Sequence, residues 1–181
     1  MAEVLLADAL RRRGLDAAVT SAGLLDDGRP ASPHSVTLMA ERGLDLSGHR
    51  SRPMTAEMLV AADLVVGMER RHVREAAVLV PDAWPRAFTL PELARRAGVA
   101  GPRPEGVSVA DWLATLVEGR TTLDHLGELP ADEIADPIGR SLRTYGKCAA
   151  QLDDLIEIVA DHLVPAVPPD ATPTTLRSTT A

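Results

Sequence analysis

The chain has 181 residues, the size of one ordinary domain, and 45% of them are hydrophobic, which is enough for a sizeable core. A net charge of -7 argues against a nucleic acid or an acidic membrane as partner, because either would want a basic surface. A single cysteine excludes an internal disulfide and a cysteine-built zinc site. No apolar run approaches the about 20 residues of a membrane span, and Glu3 and Asp8 interrupt the first apolar stretch, which argues against a signal peptide; the reading is a soluble, cytoplasmic protein. Aromatic residues make up only 2%, so the core has to be aliphatic.

Ala2, Leu5, Leu6, Ala9 and Leu10 share one helical face opposite Glu3, Asp8, Arg11 and Arg12, so the chain opens inside an amphipathic helix that Gly14 ends. Residues 17–21, from Ala17 to Ser21, have the composition of a short strand, and 22–30 that of a loop. A second helix is predicted from Pro33 to about Arg42, and Thr55 is placed to cap a third. The continuous apolar run from Asp63 to Met68 fits a strand covered on both faces. Another helical stretch follows from Glu69 to Val80, and then a strand candidate from Arg86 to Leu90. From Pro91 to Ala135 the pattern weakens to two short helical pieces, 92–97 and 109–117, and the segment is read as an insertion. Leu142, Tyr145, Leu152, Leu155, Ile156, Val159 and Leu163 mark one face of a long last helix, and the proline- and threonine-rich residues 165–181 are expected to be a disordered tail behind a domain of residues 1–164.

Strands alternating with helices imply a parallel α/β sheet, in which right-handed crossovers place a strand before each helix. The first helix has no such strand. The expected architecture is therefore a three-layer, Rossmann-like parallel sheet with helices on both faces and its first, central strand missing from this sequence.

Two residues invite a chemical role. Asp136 is followed by Pro137, which fixes φ and has no N–H, and shortly after by Gly139, so its carboxylate stands on a stiff, exposed turn that can aim an acid. Cys148 falls on the apolar face of the last helix with no glycine-rich loop and no arginine at a useful spacing, which marks it as a packing residue and not a nucleophile. His34, His72, His125 and His162 have no ligand spacing, so neither a metal nor another cofactor is expected.

The ordered set Met1-Ala2-Glu3, Ser21-Ala22-Gly23, Gly28-Arg29-Pro30-Ala31, 43–52 (Gly-Leu-Asp-Leu-Ser-Gly-His-Arg-Ser-Arg), Ala62-Asp63-Leu64-Val65, Met68 and Asp136-Pro137-Ile138-Gly139 resembles the low molecular weight protein tyrosine phosphatases over residues 1 to about 163. In that family a first strand ends in a loop of Cys, five residues, Arg and Ser-Pro, and the next helix begins where this sequence begins. The resemblance implies hydrolysis of phosphotyrosine in a protein, or of a small aryl phosphate, through a phosphocysteine in a full gene product. It makes Asp136 the general acid, Ser21 and His49 braces of the phosphate loop, and the present chain, without that loop, inactive; Met1 would then stand where the family has an internal residue, as if a start codon had been misplaced. Ile138 replaces an aromatic residue that flanks the phosphotyrosine ring in many members, which leaves aryl preference open. A degenerate homologue kept as a binding module and an arsenate reductase of the same fold are the alternatives, the latter weakened because thiol relays need more than one cysteine.

Overall fold

The computed structural model describes residues 1–25, 27–121 and 129–165. Most of the expected tail, and His125, lie outside the described residues.

Among the described residues seven helices and two strands are formed: α1 (Ala2–Arg12), α2 (Pro33–Ala40), α3 (Ala56–Ala61), β1 (Val65–Gly67), α4 (Arg70–Leu79), β2 (Ala87–Thr89), α5 (Leu90–Ala100), α6 (Val109–Leu116) and α7 (Leu142–Leu163), with short 3-10 turns at Pro81–Arg86 and Pro130–Asp132. Local chemistry sets the helix starts. Ser32, Thr55, Thr89, Ser108 and Ser141 each stand in extended backbone and accept a hydrogen bond from an amide of the first turn, which satisfies one of the donors that helix geometry leaves over.

β1 and β2 pair in parallel, with Val65 opposite Ala87, Val66 opposite Phe88 and Gly67 opposite Thr89. Alternation then divides the molecule into layers. Phe88 and Val66 face the main core, where buried residues of α1, α2, α5, α6 and α7 meet. On the other face, Gly67 abuts His72 and Val73 of α4, in contact with the smaller buried group of Leu59, Val73, Ala76 and Ala83. This is the three-layer parallel α/β arrangement, helices on both faces of the sheet.

α1 and α7 pack side by side and are joined by charge: Arg12 and Arg13 both reach Glu157, Arg13 reaches Asp161 at 2.5 Å, and Arg42, just beyond α2, reaches Asp153 at 2.8 Å. At the far end of the sheet Arg120, its side chain fully buried, lies 4.1 Å over the Trp84 ring and 4.5 Å over Phe88, and its Nε is 3.2 Å from the buried Glu92 carboxylate, which also accepts from Arg96.

Two expectations need correction. Residues 17–21 are extended but form no strand among the described residues; they are mostly exposed, and only Val19 touches the core. A run of small and β-branched residues has strand propensity, but a strand exists only against a ladder partner, and neither β1 nor β2 supplies one. The segment from Pro91 is no appended insertion: α5 is an eleven-residue helix, and Leu93, Ala97, Trp112, Leu113 and Leu116 all belong to the main core.

Candidate active site

The first turn of α1 is one focus. Glu3 stands there; its carboxylate accepts from the Ser21 hydroxyl and lies 3.6 Å from His49 Nδ1. The two loops that deliver Ser21 and His49 are stitched to each other: Gly23 N–H donates to the Arg52 carbonyl at 2.9 Å, Met54 N–H donates back to the Gly23 carbonyl at 2.9 Å, and Arg52 Nε donates to the Ser21 carbonyl at 2.8 Å. One carboxylate of the helix thus gathers both residues at the positive end of the helix dipole. The α-amino group of Met1 is held below its ordinary pKa by burial, against the pull of Glu3.

Asp136 is the second focus. Its turn is exposed, its Oδ1 accepts from the Ile138 N–H at 2.9 Å, Gly139 takes φ 72°, which a side chain resists, and Arg140 N–H closes the turn on the Pro137 carbonyl at 2.9 Å. Ser141 then caps α7. Upstream, Ile134 is buried and its N–H donates to the Met68 carbonyl at 2.8 Å, which fixes the turn to the carboxyl end of β1.

Cys148 connects the two foci. Burial raises the pKa of its thiol, the Asp136 carboxylate raises it further, and the Met1 amine works in the opposite direction. The thiol is thus coupled electrostatically both to Asp136 and to the Met1 amine at the start of α1. A half-buried thiol with a raised pKa is a poor nucleophile, in keeping with a packing role.

His72 was passed over in the sequence as a histidine without ligand spacing. In the structure its Nδ1 accepts the Glu69 N–H at 3.2 Å while the Glu69 side chain accepts from the His72 N–H, a capping box in which histidine takes the place of the usual glutamate. The proton of the neutral ring is then on Nε2. Burial lowers the His72 pKa, while the carboxylates of Glu69, Asp136 and Glu133 oppose that shift. The spacing Glu69-x-x-His72 was the available signal. Among the described residues no three His, Cys, Asp or Glu side chains stand close enough to hold a metal ion, and no helix is long and apolar enough to cross a membrane.

A parallel α/β sheet, two loops gathered at the N-terminal end of α1, and an acid on a proline-stiffened turn tied to the carboxyl end of β1 are the parts from which α/β proteins build anion sites. Residues 1–103 match the family model of low molecular weight phosphotyrosine protein phosphatase, and the chain belongs to that family. A protein-arginine-phosphatase of Bacillus subtilis is 36% identical over 90% of this chain and 87% of its own length. A probable low molecular weight protein-tyrosine-phosphatase of Ralstonia solanacearum is 36% identical over 49% of this chain, which spans 62% of that relative's length. Among solved structures, a low molecular weight protein tyrosine phosphatase of T. tengcongensis superposes with a TM-score of 0.66 at 27% identity, covering 90% of this chain and 88% of that one. A Bacillus subtilis YwlE mutant gives 0.63 at 26% identity, covering 88% and 85%.

Proposed function

We propose that this chain is the body of a protein phosphatase in which Asp136 is the general acid and Ser21 and His49 brace a phosphate loop. The observation that carries the reading is the placement of Asp136: an exposed carboxylate on a proline-stiffened turn that the Ile134 to Met68 hydrogen bond fixes to the carboxyl end of β1. In the reaction a thiolate attacks phosphorus, the bond from phosphorus to the substrate oxygen breaks, and Asp136 gives its proton to the leaving phenolate. Water then attacks the phosphocysteine, Asp136 takes the water proton, and the thiolate departs from inorganic phosphate. A serine-for-cysteine variant of a YwlE arginine phosphatase, 26% identical to this chain, carries a phosphorylated active-site serine, which fits a phosphoenzyme on that side chain.

The sequence itself has no cysteine followed six positions later by arginine: its one cysteine, Cys148, has Asp154 there. The 181 residues on their own are expected to show no turnover of an aryl phosphate above buffer, because they contain no Cys-x5-Arg loop to supply the nucleophile and to stabilise the transferring phosphoryl group. A general acid contributes only about 10²–10⁴-fold, and only to a substrate already under attack. Phosphoarginine in proteins is the second reading of the substrate, and two observations favour it: the arginine phosphatase matches 90% of this chain, the tyrosine phosphatase relative 49%, and Ile138 offers no ring to flank a phenol. A cytoplasmic location belongs to the same reading, in keeping with the sparing use of cysteine.

The test is a chain lengthened ahead of Met1 by a strand and a Cys-x5-Arg-Ser-Pro loop taken from a relative. Turnover of aryl phosphate or phosphoarginine should appear, Asp136→Asn should lower kcat strongly for a poor leaving group and little for a good one, and Cys148→Ser should leave kcat nearly unchanged. Turnover by the unlengthened chain, or its abolition by Cys148→Ser, would overturn the assignment.

A further inference from the structure

The turn that carries Asp136 makes its hydrogen bonds within itself: Ile138 to Asp136, Arg140 to Pro137. Residues 138–144 are exposed. What holds the turn against the body lies upstream. Asp132 is 4% exposed, and its two carboxylate oxygens go to different helices: Oδ2 is 3.3 Å from Arg70 Nη2, at the first residue of α4, and Oδ1 is 3.0 Å from Arg95 Nη2, on α5. α4 and α5 cover opposite faces of the sheet, so this one carboxylate ties both helical layers together near the strand ends. Two residues later Ile134 is buried and hydrogen-bonded to Met68, and two residues after that comes Asp136.

Stability alone is a poor account of this arrangement. A buried carboxylate is costly to desolvate, and well-packed apolar side chains of similar volume are often as good or better. The Arg95 side chain is 58% exposed, so its ion pair contributes little. What two guanidinium groups from two elements do supply is a fixed position for the backbone between them.

We propose that Asp132 is a positioning residue: held between Arg70 and Arg95, it fixes the direction in which the following turn presents Asp136 to the N-terminal end of α1. The proposal rests on the reading of Asp136 as general acid and names what aims it.

Cys148 is the only thiol in the chain and its titration is coupled to the Asp136 carboxylate and the Met1 amine, so it reports on the Asp136 charge with no need for turnover. The rate of its reaction with a chromogenic disulfide is measured against pH in the 181-residue chain, beside circular-dichroism melts. Asp136→Asn removes a carboxylate that disfavours the thiolate and moves the profile to lower pH. Asp132→Asn moves it the same way, by more than half as much, and Arg95→Gln by less. In the double variant Asp132→Asn/Asp136→Asn the shift equals that of Asp136→Asn alone, because displacing a charge already removed changes nothing. Should Asp132→Asn fail to fold, Arg95→Gln, at an exposed side chain, carries the test. The proposal is overturned if Asp132→Asn and Arg95→Gln leave the profile at wild type, if the two aspartate substitutions add, which is the mark of general loosening around the thiol, or if Asp136→Asn itself moves nothing. A failed phosphatase assay on the lengthened chain, with these shifts present, would instead sink the functional reading and leave the clamp standing.

Discussion

Residues 63–100 and residues 15–31 carry similar local signals, short runs of small and β-branched residues closed by glycine or proline, yet only the first region builds a sheet. Val65–Gly67 and Ala87–Thr89 pair with each other, and the helices that follow them cover both faces. Residues 17–21 stay extended and largely exposed, and the neighbouring loop is held by two isolated bridges, Gly23 to Pro53 and Pro30 to Arg50. The difference shows that strand propensity states what a segment can do, and a neighbour decides whether it does. It also divides the candidate site, with Asp136 fixed to the organised region, Ser21 delivered by the loosely held one and His49 by the loop bridged to it.

Core substitutions should sharpen that contrast most. Phe88→Ala, at the sheet's centre and fully buried, is expected to cost about 3–5 kcal/mol in urea unfolding, whereas Val19→Ala should cost about 1 kcal/mol or less; equal losses would mean that residues 17–21 are part of the cooperative sheet after all. Glu92→Gln replaces the buried carboxylate shared by Arg96 and Arg120 with a neutral amide and should lose about 3 kcal/mol, while Arg120 keeps its stacking on Trp84 and Phe88 and its bonds to the Trp84 and Ala87 carbonyls. Gly67→Ala is the next largest. A Cβ there would stand 3.0 Å from the His72 Cβ and 3.2 Å from both the Glu69 carbonyl and Val73 Cγ2, so overpacking of about 1–3 kcal/mol is expected, together with a displaced first turn of α4.

The smallest effect is the pH dependence of His72. Burial holds its folded pKa below the ordinary value, so the unfolded chain takes up the proton first as the pH falls. Wild-type stability therefore declines from about pH 6.5 downward through the lowered folded pKa, and is unaffected by this group above that range. His72→Asn, which can still accept the Glu69 N–H, should flatten that limb of the stability curve; an unchanged slope in melts taken across the range would show that His72 is not its source.

What the sequence disclosed follows the same division. The heptad-like spacing of Leu142 to Leu163 marked α7 at both ends, and Thr55 marked α3, because periodicity and capping are local properties. The strand at Asp63 to Met68 was legible from its continuous apolar run, trimmed in the structure to the three residues that have partners. Asp136 could be singled out because Pro137 and Gly139 announce its turn. The clamp on Asp132 could not, since its partners lie 62 and 37 residues away and no local pattern joins them. Glu3 as the point where Ser21 and His49 meet was hidden for the same reason. The weak pattern after Pro91 misled because alanine, glycine and arginine dilute the apolar stripe of α5, although Leu93, Ala94 and Ala97 are all buried.

The pairing of α1 with α7 has a consequence for the order of events during synthesis. Eleven residues make a helix that is marginal in water by itself, and the partner that stabilises α1, with Glu157 and Asp161 waiting for Arg12 and Arg13, is α7, translated about 130 residues later. At roughly 5–20 residues per second, α1 has to remain without its partner for on the order of ten seconds, its apolar face open to water or to a chaperone. A helix translated well before its partner is thus late to reach its place, and the loops that Glu3 gathers cannot be set until then.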